Sequence, residues 1–354
     1  MKSMDALLSA LGLDPLQGLT TLSASRLAAA YSPPLNPDLG ALVLELDSSE
    51  VARRAWAVLG GQYAHDHRVL LLRDLDSPAQ ELSLEELDPE AAVLALYLPP
   101  MEALSSFESL QDTVAHLRAP DGCPWDQVQT HESLRKHMLE EAYETLEALD
   151  RARPDELREE LGDLLLQILM HAQIAQEQDN FRMSDVVADI QAKLIRRHPH
   201  VFGDVEVTDV EQVLSNWEHY KSKETDAGPL GGVPRSLPAL SQAAELQDRA
   251  SRVGFAWPSM DEVMDKVKEE LTELEKENVQ QMRVAELGDL LFAIANFARW
   301  IGADPEAELQ RANQRFRSRF ANLLKTVSNS GQRLEDLEIT ELKQLWNASK
   351  DTGV

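Results

Sequence analysis

Two strings of carboxylates recur in this chain of 354 residues. The first is Glu140-Glu141-Ala142-Tyr143-Glu144, followed by Glu160-Leu161-Gly162-Asp163. The second is Glu269-Glu270-Leu271-Thr272-Glu273, followed by Glu286-Leu287-Gly288-Asp289. Residues three or four apart on a helix share a face, with Cβ atoms about 5–6 Å apart. Glu141 therefore projects with Glu144, and Glu160 with Asp163. The later pairs are Glu270 with Glu273 and Glu286 with Asp289. Two such helices side by side bring four carboxylates to one place. Unit charges about 5 Å apart repel by about 3 kcal/mol at an effective dielectric near 20, so the cluster calls for a cation. An all-oxygen ligand set favours Mg²⁺, Mn²⁺ or Ca²⁺ over zinc or copper, and Mg²⁺ keeps positions open for water and phosphate.

A solvated acidic face is the competing account of these strings. Leu161, Leu164, Leu165, Leu287, Leu290 and Leu291 flank the Glu–Leu–Gly–Asp segments and predict largely buried helices. A mid-helix glycine costs about 1 kcal/mol relative to alanine. Gly162 and Gly288, at the same place in both strings, predict close approach of a helix or ligand.

The strings belong to a longer repeat. Lys193 and Arg197 are matched by Arg315 and Arg319, and Trp217 and Lys221 by Trp346 and Lys350. Four features thus keep their order at offsets of 129, 126, 122 and 129 residues, which predicts a duplicated unit of roughly five helices.

The elements that must carry these side chains can be placed. Residues 1–103 hold β-type runs at 41–46, 69–72 and 93–98, with a helical stretch opened by Ser48 and Ser49. They predict a small α/β module ending at Pro99-Pro100. Residues 104–225 and 239–354 show helical periodicity and predict two all-α units, giving a mainly α protein. A Gly- and Pro-rich linker, 226–238, divides them. Pro154 and the Ser259/Glu262 pair mark helix starts.

Bulk properties narrow the function. The net charge of −27 argues against a nucleic-acid surface and against docking on an anionic membrane. A single cysteine, Cys123, excludes an internal disulfide and points to a reducing compartment. No apolar run approaches the ~20 residues needed to span a bilayer, and the N-terminus does not read as a secretory signal. The cytoplasm is the expected location.

The paired EExxE and ExxD strings resemble the MazG family of nucleotide pyrophosphohydrolases, from about Leu104 to the C-terminus. Further strings carry the likeness: Gly122-Cys123-Pro124-Trp125-Asp126 with Gln129-Thr130, Arg197-His198-Pro199-His200-Val201-Phe202, Pro234-Arg235-Ser236-Leu237-Pro238-Ala239-Leu240, and Val253-Gly254-Phe255. Together they resemble the two-unit bacterial form. The resemblance implies helical bundles, a homodimer, and Mg²⁺-dependent hydrolysis of NTP or dNTP to monophosphate and pyrophosphate with broad base tolerance. It implies metal ligands at Glu270, Glu273, Glu286 and Asp289, with Glu269 as a catalytic helper, and an equivalent set at Glu141, Glu144, Glu160 and Asp163. It also implies nucleotide-binding roles for Arg315, Arg319, Trp346 and Lys350, and by repeat for Lys193, Arg197, Trp217 and Lys221. Arg315 stands where the family usually has Lys. For Trp346 and Lys350, a core-filling indole and a solvated ammonium are equally good accounts. Residues 1–103 resemble part of a tetrapyrrole methylase domain, through Asp14-Pro15-Leu16, Gly18-Leu19 and Leu96-Tyr97-Leu98-Pro99-Pro100. No Gly-rich S-adenosylmethionine loop accompanies them, so a remnant without methylase activity is expected.

The expected mechanism is metal-assisted attack of water on the α-phosphorus, with pyrophosphate leaving. Glu269 or Glu273 would serve as general base, and Arg315, Arg319 and Lys350 would neutralise phosphate charge. A nucleotide-sensing scaffold, a narrow dUTPase-like diphosphohydrolase and, last because the cofactor loop is absent, a methyltransferase are the rival readings.

Overall fold

The computed structural model describes residues 4–348, apart from 47, 92, 211, 214, 215, 218, 219, 221–227 and 229. The chain divides into two compact units, 1–191 and 192–354. No described helix is long and apolar enough to cross a membrane.

The first unit opens with a five-stranded sheet in the order β1-β2-β5-β3-β4. Its strands are β1 (Leu19–Ser23), β2 (Gly40–Leu44), β3 (Arg68–Leu72), β4 (Gln80–Ser83) and β5 (Ala95–Leu98). β1 and β2 run parallel; the other neighbours are antiparallel. Three helices accompany it: α1 (Met4–Leu11), α2 (Ala24–Ala28) and α3 (Ser49–Leu59). Alternation along the strands sends side chains to opposite faces. Leu42, Leu72 and Ala95 pack with Leu7 and Leu11 of α1. Ala41, Val43, Val69 and Leu96 pack on the other face with Leu27 of α2 and Leu59 of α3. Covering both faces buries β2 almost completely, which explains its unbroken apolar run.

The three expected strands and the helix capped by Ser48 are present. β1 and β4 add to them. β1 reads Leu-Thr-Thr-Leu-Ser and β4 reads Gln-Glu-Leu-Ser, so neither carries an apolar run.

The same unit continues into helices. They are α4 (Phe107–Arg118), α5 (Pro124–Gln127), α6 (His131–Asp150), α7 (Pro154–Glu177) and α8 (Met183–Arg197), whose last turns cross the division at 191. α9 (Pro199–Phe202) follows. Asp38 ties the sheet to α4. Its carboxylate accepts from the backbone N–H groups of Ser105 (2.8 Å) and Ser106 (3.2 Å) and from the hydroxyls of Ser106 and Ser109. Those hydrogen bonds, led by the Ser106 hydroxyl, hold it far below the usual carboxylate range. Val114, Leu134, Leu169, Met170, Ile174 and Met183 form the bundle core. At its edge the Arg118 side chain, 6% exposed, makes a two-pronged pair with Glu177 at 2.9 and 2.7 Å. The Arg118 bond holds the Glu177 carboxyl below its ordinary value.

The second unit contains α10 (Ala239–Arg252), α11 (Met260–Lys276), α12 (Gln280–Trp300), α13 (Pro305–Asn329) and α14 (Ile339–Ala348). Ser259 caps α11, its hydroxyl accepting from the Glu262 N–H at 3.3 Å. Pro154 stands at the first position of α7.

Two sequence expectations are corrected. Leu161, Leu287 and Leu291 are 50%, 46% and 46% exposed, so the helices carrying the acidic strings are not largely buried within one chain. Among the described residues, each pair of acidic helices leaves exposed leucines on a face away from its core. A Cβ at Gly162 or Gly288 would meet nothing within 4 Å, so neither glycine marks a close approach within the chain.

Candidate metal centres and the adjoining cavity

α6 and α7 form an antiparallel hairpin, and α11 and α12 form its counterpart in the second unit. Each hairpin places two glutamates of its first helix beside one of its second. Ligand oxygens of Glu141, Glu144 and Glu160 lie within 4.8 Å of one another, as do those of Glu270, Glu273 and Glu286. The spacing within each helix is that of one turn; only the pairing of helices brings in the third group.

The electrostatics follow from crowding. Burial raises the pKa of Glu141, and Asp163, Glu144 and Glu160 raise it further. Glu160 is raised in the same way by burial and then by Glu144 and Asp163. In the second unit burial raises Glu286, followed by Glu273, Asp289 and Glu270. Asp163 and Asp289 thus act on their clusters electrostatically while standing outside the sets of mutually close oxygens. Three like-charged oxygens at this separation, all carboxylate, suit a hard divalent cation.

Glu270 is the most buried carboxylate of either cluster, at 6% exposure. It accepts from Lys266 Nζ at 2.8 Å, and Glu269 lies 3.2 Å from the same ammonium. These bonds, the one to Glu270 foremost, push the Lys266 pKa up to about 12. Sequence reasoning passed over Lys266, although its place four residues before Glu270 is the spacing of a helical ion pair. At the matching position of the first unit His137 Nδ1 meets Glu140 at 3.1 Å.

A cavity of about 570 Å³ adjoins the second cluster and is lined in part by Lys266, Glu270 and Asp289. α10 and α12 supply its far wall, with Gln247, Asn296 and Arg299, and Phe255 and Trp257 lie in the segment joining α10 to α11. None of these five was singled out from the sequence as a site residue. Their signal is weak there, because amides and aromatics at helical spacing are ordinary packing residues.

The cationic positions are not gathered at either cluster by any contact among the described residues. Arg315 is exposed on α13; Arg319 is half-buried, with its Nε buried and unpartnered. Neither forms an ion pair among the described residues. Trp346 packs on Phe316, ring centres 5.2 Å apart. Arg197 lies over the Trp217 ring at 5.3 Å. Lys193 is exposed on α8 and, with Arg197 and Trp217, is counted in the second unit. Lys221 and Lys350 lie outside the described residues.

Comparison with known proteins agrees with this geometry. Residues 129–202, which include the first cluster, match the MazG nucleotide pyrophosphohydrolase domain. The nucleoside triphosphate pyrophosphohydrolase/pyrophosphatase MazG of Thermotoga maritima is 42% identical over 252 residues, covering 70% of this chain and 97% of that protein. The chain belongs to the MazG family. The nucleoside triphosphate pyrophosphohydrolase of Escherichia coli K12 is 40% identical over 257 residues, covering 70% of this chain and 98% of its own. YabN of Bacillus subtilis, 37% identical over 367 residues, matches 99% of this chain and 74% of its own length. The family model spans the first of the two acidic hairpins.

Proposed function

We propose that this protein hydrolyses nucleoside triphosphates to monophosphate and pyrophosphate, using Mg²⁺ held in the second unit. The observation that carries the reading is the triad of Glu270, Glu273 and Glu286, its oxygens within 4.8 Å of one another beside a cavity large enough for a nucleoside. The names of the relatives from Thermotoga maritima and Escherichia coli support the same reaction.

Glu270, Glu273 and Glu286 are the metal ligands in this reading, with Asp289 completing the set. When bound, Mg²⁺ supplies charge neutralisation at the phosphates and lowers the pKa of a coordinated water. Lys266 holds Glu270 in place by its 2.8 Å bond. Glu269, outside the triad and 3.2 Å from Lys266, is assigned the proton of the attacking water, with Glu273 as the alternative base. Arg315, Arg319 and Lys350, with Trp346, are assigned to the nucleotide, and Lys193, Arg197, Trp217 and Lys221 are their repeat counterparts. Glu141, Glu144, Glu160 and Asp163 form a second metal site whose role is structural.

The organisation we propose is a module at 1–103, helical units at 104–225 and 239–354, and a linker at 226–238. The module is a tetrapyrrole methylase remnant without methylase activity. The protein acts in the cytoplasm on the nucleotide pool and binds neither nucleic acid nor membrane. Pyrophosphate release from a panel of NTPs and dNTPs, with and without Mg²⁺, tests the function; release from none of them would overturn it.

The protein acts as a homodimer. Leu287 and Leu291, one turn apart on α12, are each nearly half exposed, and Leu271 on α11 is 45% exposed. Exposed apolar side chains on both helices of the hairpin support an interface here. Leu287→Lys with Leu291→Lys is expected to convert the dimer to monomer in light scattering; an unchanged mass would place the interface elsewhere.

A further inference from the structure

The two units treat the same position in opposite ways. Counting from the shared Gly–x–x–Trp, Gln247 corresponds to Ala115. Counting from the shared Glu–Leu–Gly–Asp, Asn296 corresponds to Met170 and Arg299 to Gln173. In the first unit Val114 and Met170, 1% and 3% exposed, belong to the bundle core, and Gln167 of α7 is buried with an Oε1 that has no partner among the described residues. In the second unit the space between α10 and α12 stays open and becomes the cavity beside the acidic triad.

The polar groups on its wall are held in position. Gln247 Nε2 donates to the Phe292 carbonyl at 2.8 Å, which orients the amide. Its Oε1 is buried and has no partner among the described residues. A buried acceptor without a partner is costly in a folded protein and calls for a donor. Asn296 is 7% exposed, and its Oδ1 accepts from Arg299 Nη2 at 3.2 Å and Nε at 3.4 Å. Phe255 and Trp257, at 82% and 42% exposure, offer aromatic faces at the rim. One end of the cavity is anionic and suits a metal–phosphate group. The other is apolar, with aromatic faces and one unfilled hydrogen-bond acceptor, which suits a flat heterocycle bearing N–H donors.

Resting on the hydrolase reading, we propose that Gln247, Asn296 and Arg299 of the second unit read the hydrogen-bonding edge of the nucleobase. Gln247 accepts from an N–H of the base, Asn296 and Arg299 complete the polar edge, and the rim aromatics cover its face. The first unit carries Ala115, Met170 and Gln173 in their places.

Binding of the α,β-methylene analogues of the four common NTPs, and of inorganic tripolyphosphate, measured by calorimetry in Mg²⁺, tests the assignment. Gln247→Met is expected to weaken the analogues that donate to Oε1 by about tenfold, leaving tripolyphosphate unchanged. Ala293→Phe, which fills the cavity floor, is expected to weaken all four analogues and again spare tripolyphosphate. Retained tripolyphosphate binding shows that both variants fold. Equal loss of analogue and tripolyphosphate binding, or no loss of either, overturns the proposal. A wild-type protein that binds the analogues in this pattern but releases no pyrophosphate from the natural triphosphates would overturn the hydrolase reading and leave the base site standing.

Discussion

Glu270→Gln is expected to lower pyrophosphate release by more than about 100-fold, beyond the cost of losing an outer partner of a metal ligand. Glutamine keeps the volume and can still accept from Lys266, so the helix and its packing survive. The charge is what is lost, from the most buried carboxylate of the triad. Circular dichroism should be unchanged while turnover collapses. The matching change in the first unit, Glu141→Gln, is expected to leave turnover close to wild type. The reason lies behind the triad: the first unit has Met170 of its core at the place of Asn296, and the second has a cavity there. Equal loss in the two variants would mean two working sites. Full turnover in Glu270→Gln would remove the triad from the chemistry.

Chelation of divalent metal is expected to take turnover to background, and Mg²⁺ or Mn²⁺ to restore it. The same addition should stabilise the fold. A cation at 100 times its dissociation constant adds about 2.7 kcal/mol if only the folded state binds it, worth several degrees in the unfolding midpoint. The pH dependence follows from Glu141, Glu160 and Glu286, whose pKa values are raised in the folded protein. The folded state then holds protons more tightly than the unfolded chain. Its benefit from them is complete below the unfolded carboxylate values and is lost as pH rises through the raised ones. At neutral pH the clusters are therefore self-repelling, and a cation replaces the missing protons. The stabilisation by Mg²⁺, followed by calorimetry, should be largest near neutral pH and shrink as the solution is acidified into the carboxylate range. A pH-independent shift would place the metal elsewhere.

Much of this protein was legible along the chain because its signals are local. Helical spacing put Glu270 with Glu273 and Glu286 with Asp289 on common faces, and the repetition of both strings marked them out from an ordinary acidic surface. The strands at 41–46, 69–72 and 93–98 could be read because burial on both faces demands apolar runs. β1 and β4 escaped because threonine, glutamine and glutamate in a short strand carry no such pattern.

The sequence by itself determined which carboxylates pair within a helix, that the acidic strings are duplicated, and that the chain carries a net charge of −27. Tertiary structure alone decided three further points. It brought Glu286 to Glu270 and Glu273, since only the packing of α12 on α11 sets that distance. It left Leu287 and Leu291 half exposed, because burial depends on which second surface is present and not on apolar character. It also opened a cavity behind the second triad, where the first unit has Met170 of its core at the place of Asn296. Helical spacing places side chains on a face, but whether two faces meet as core or as cavity depends on the volumes that interlock across them, and those come from residues far apart in the chain.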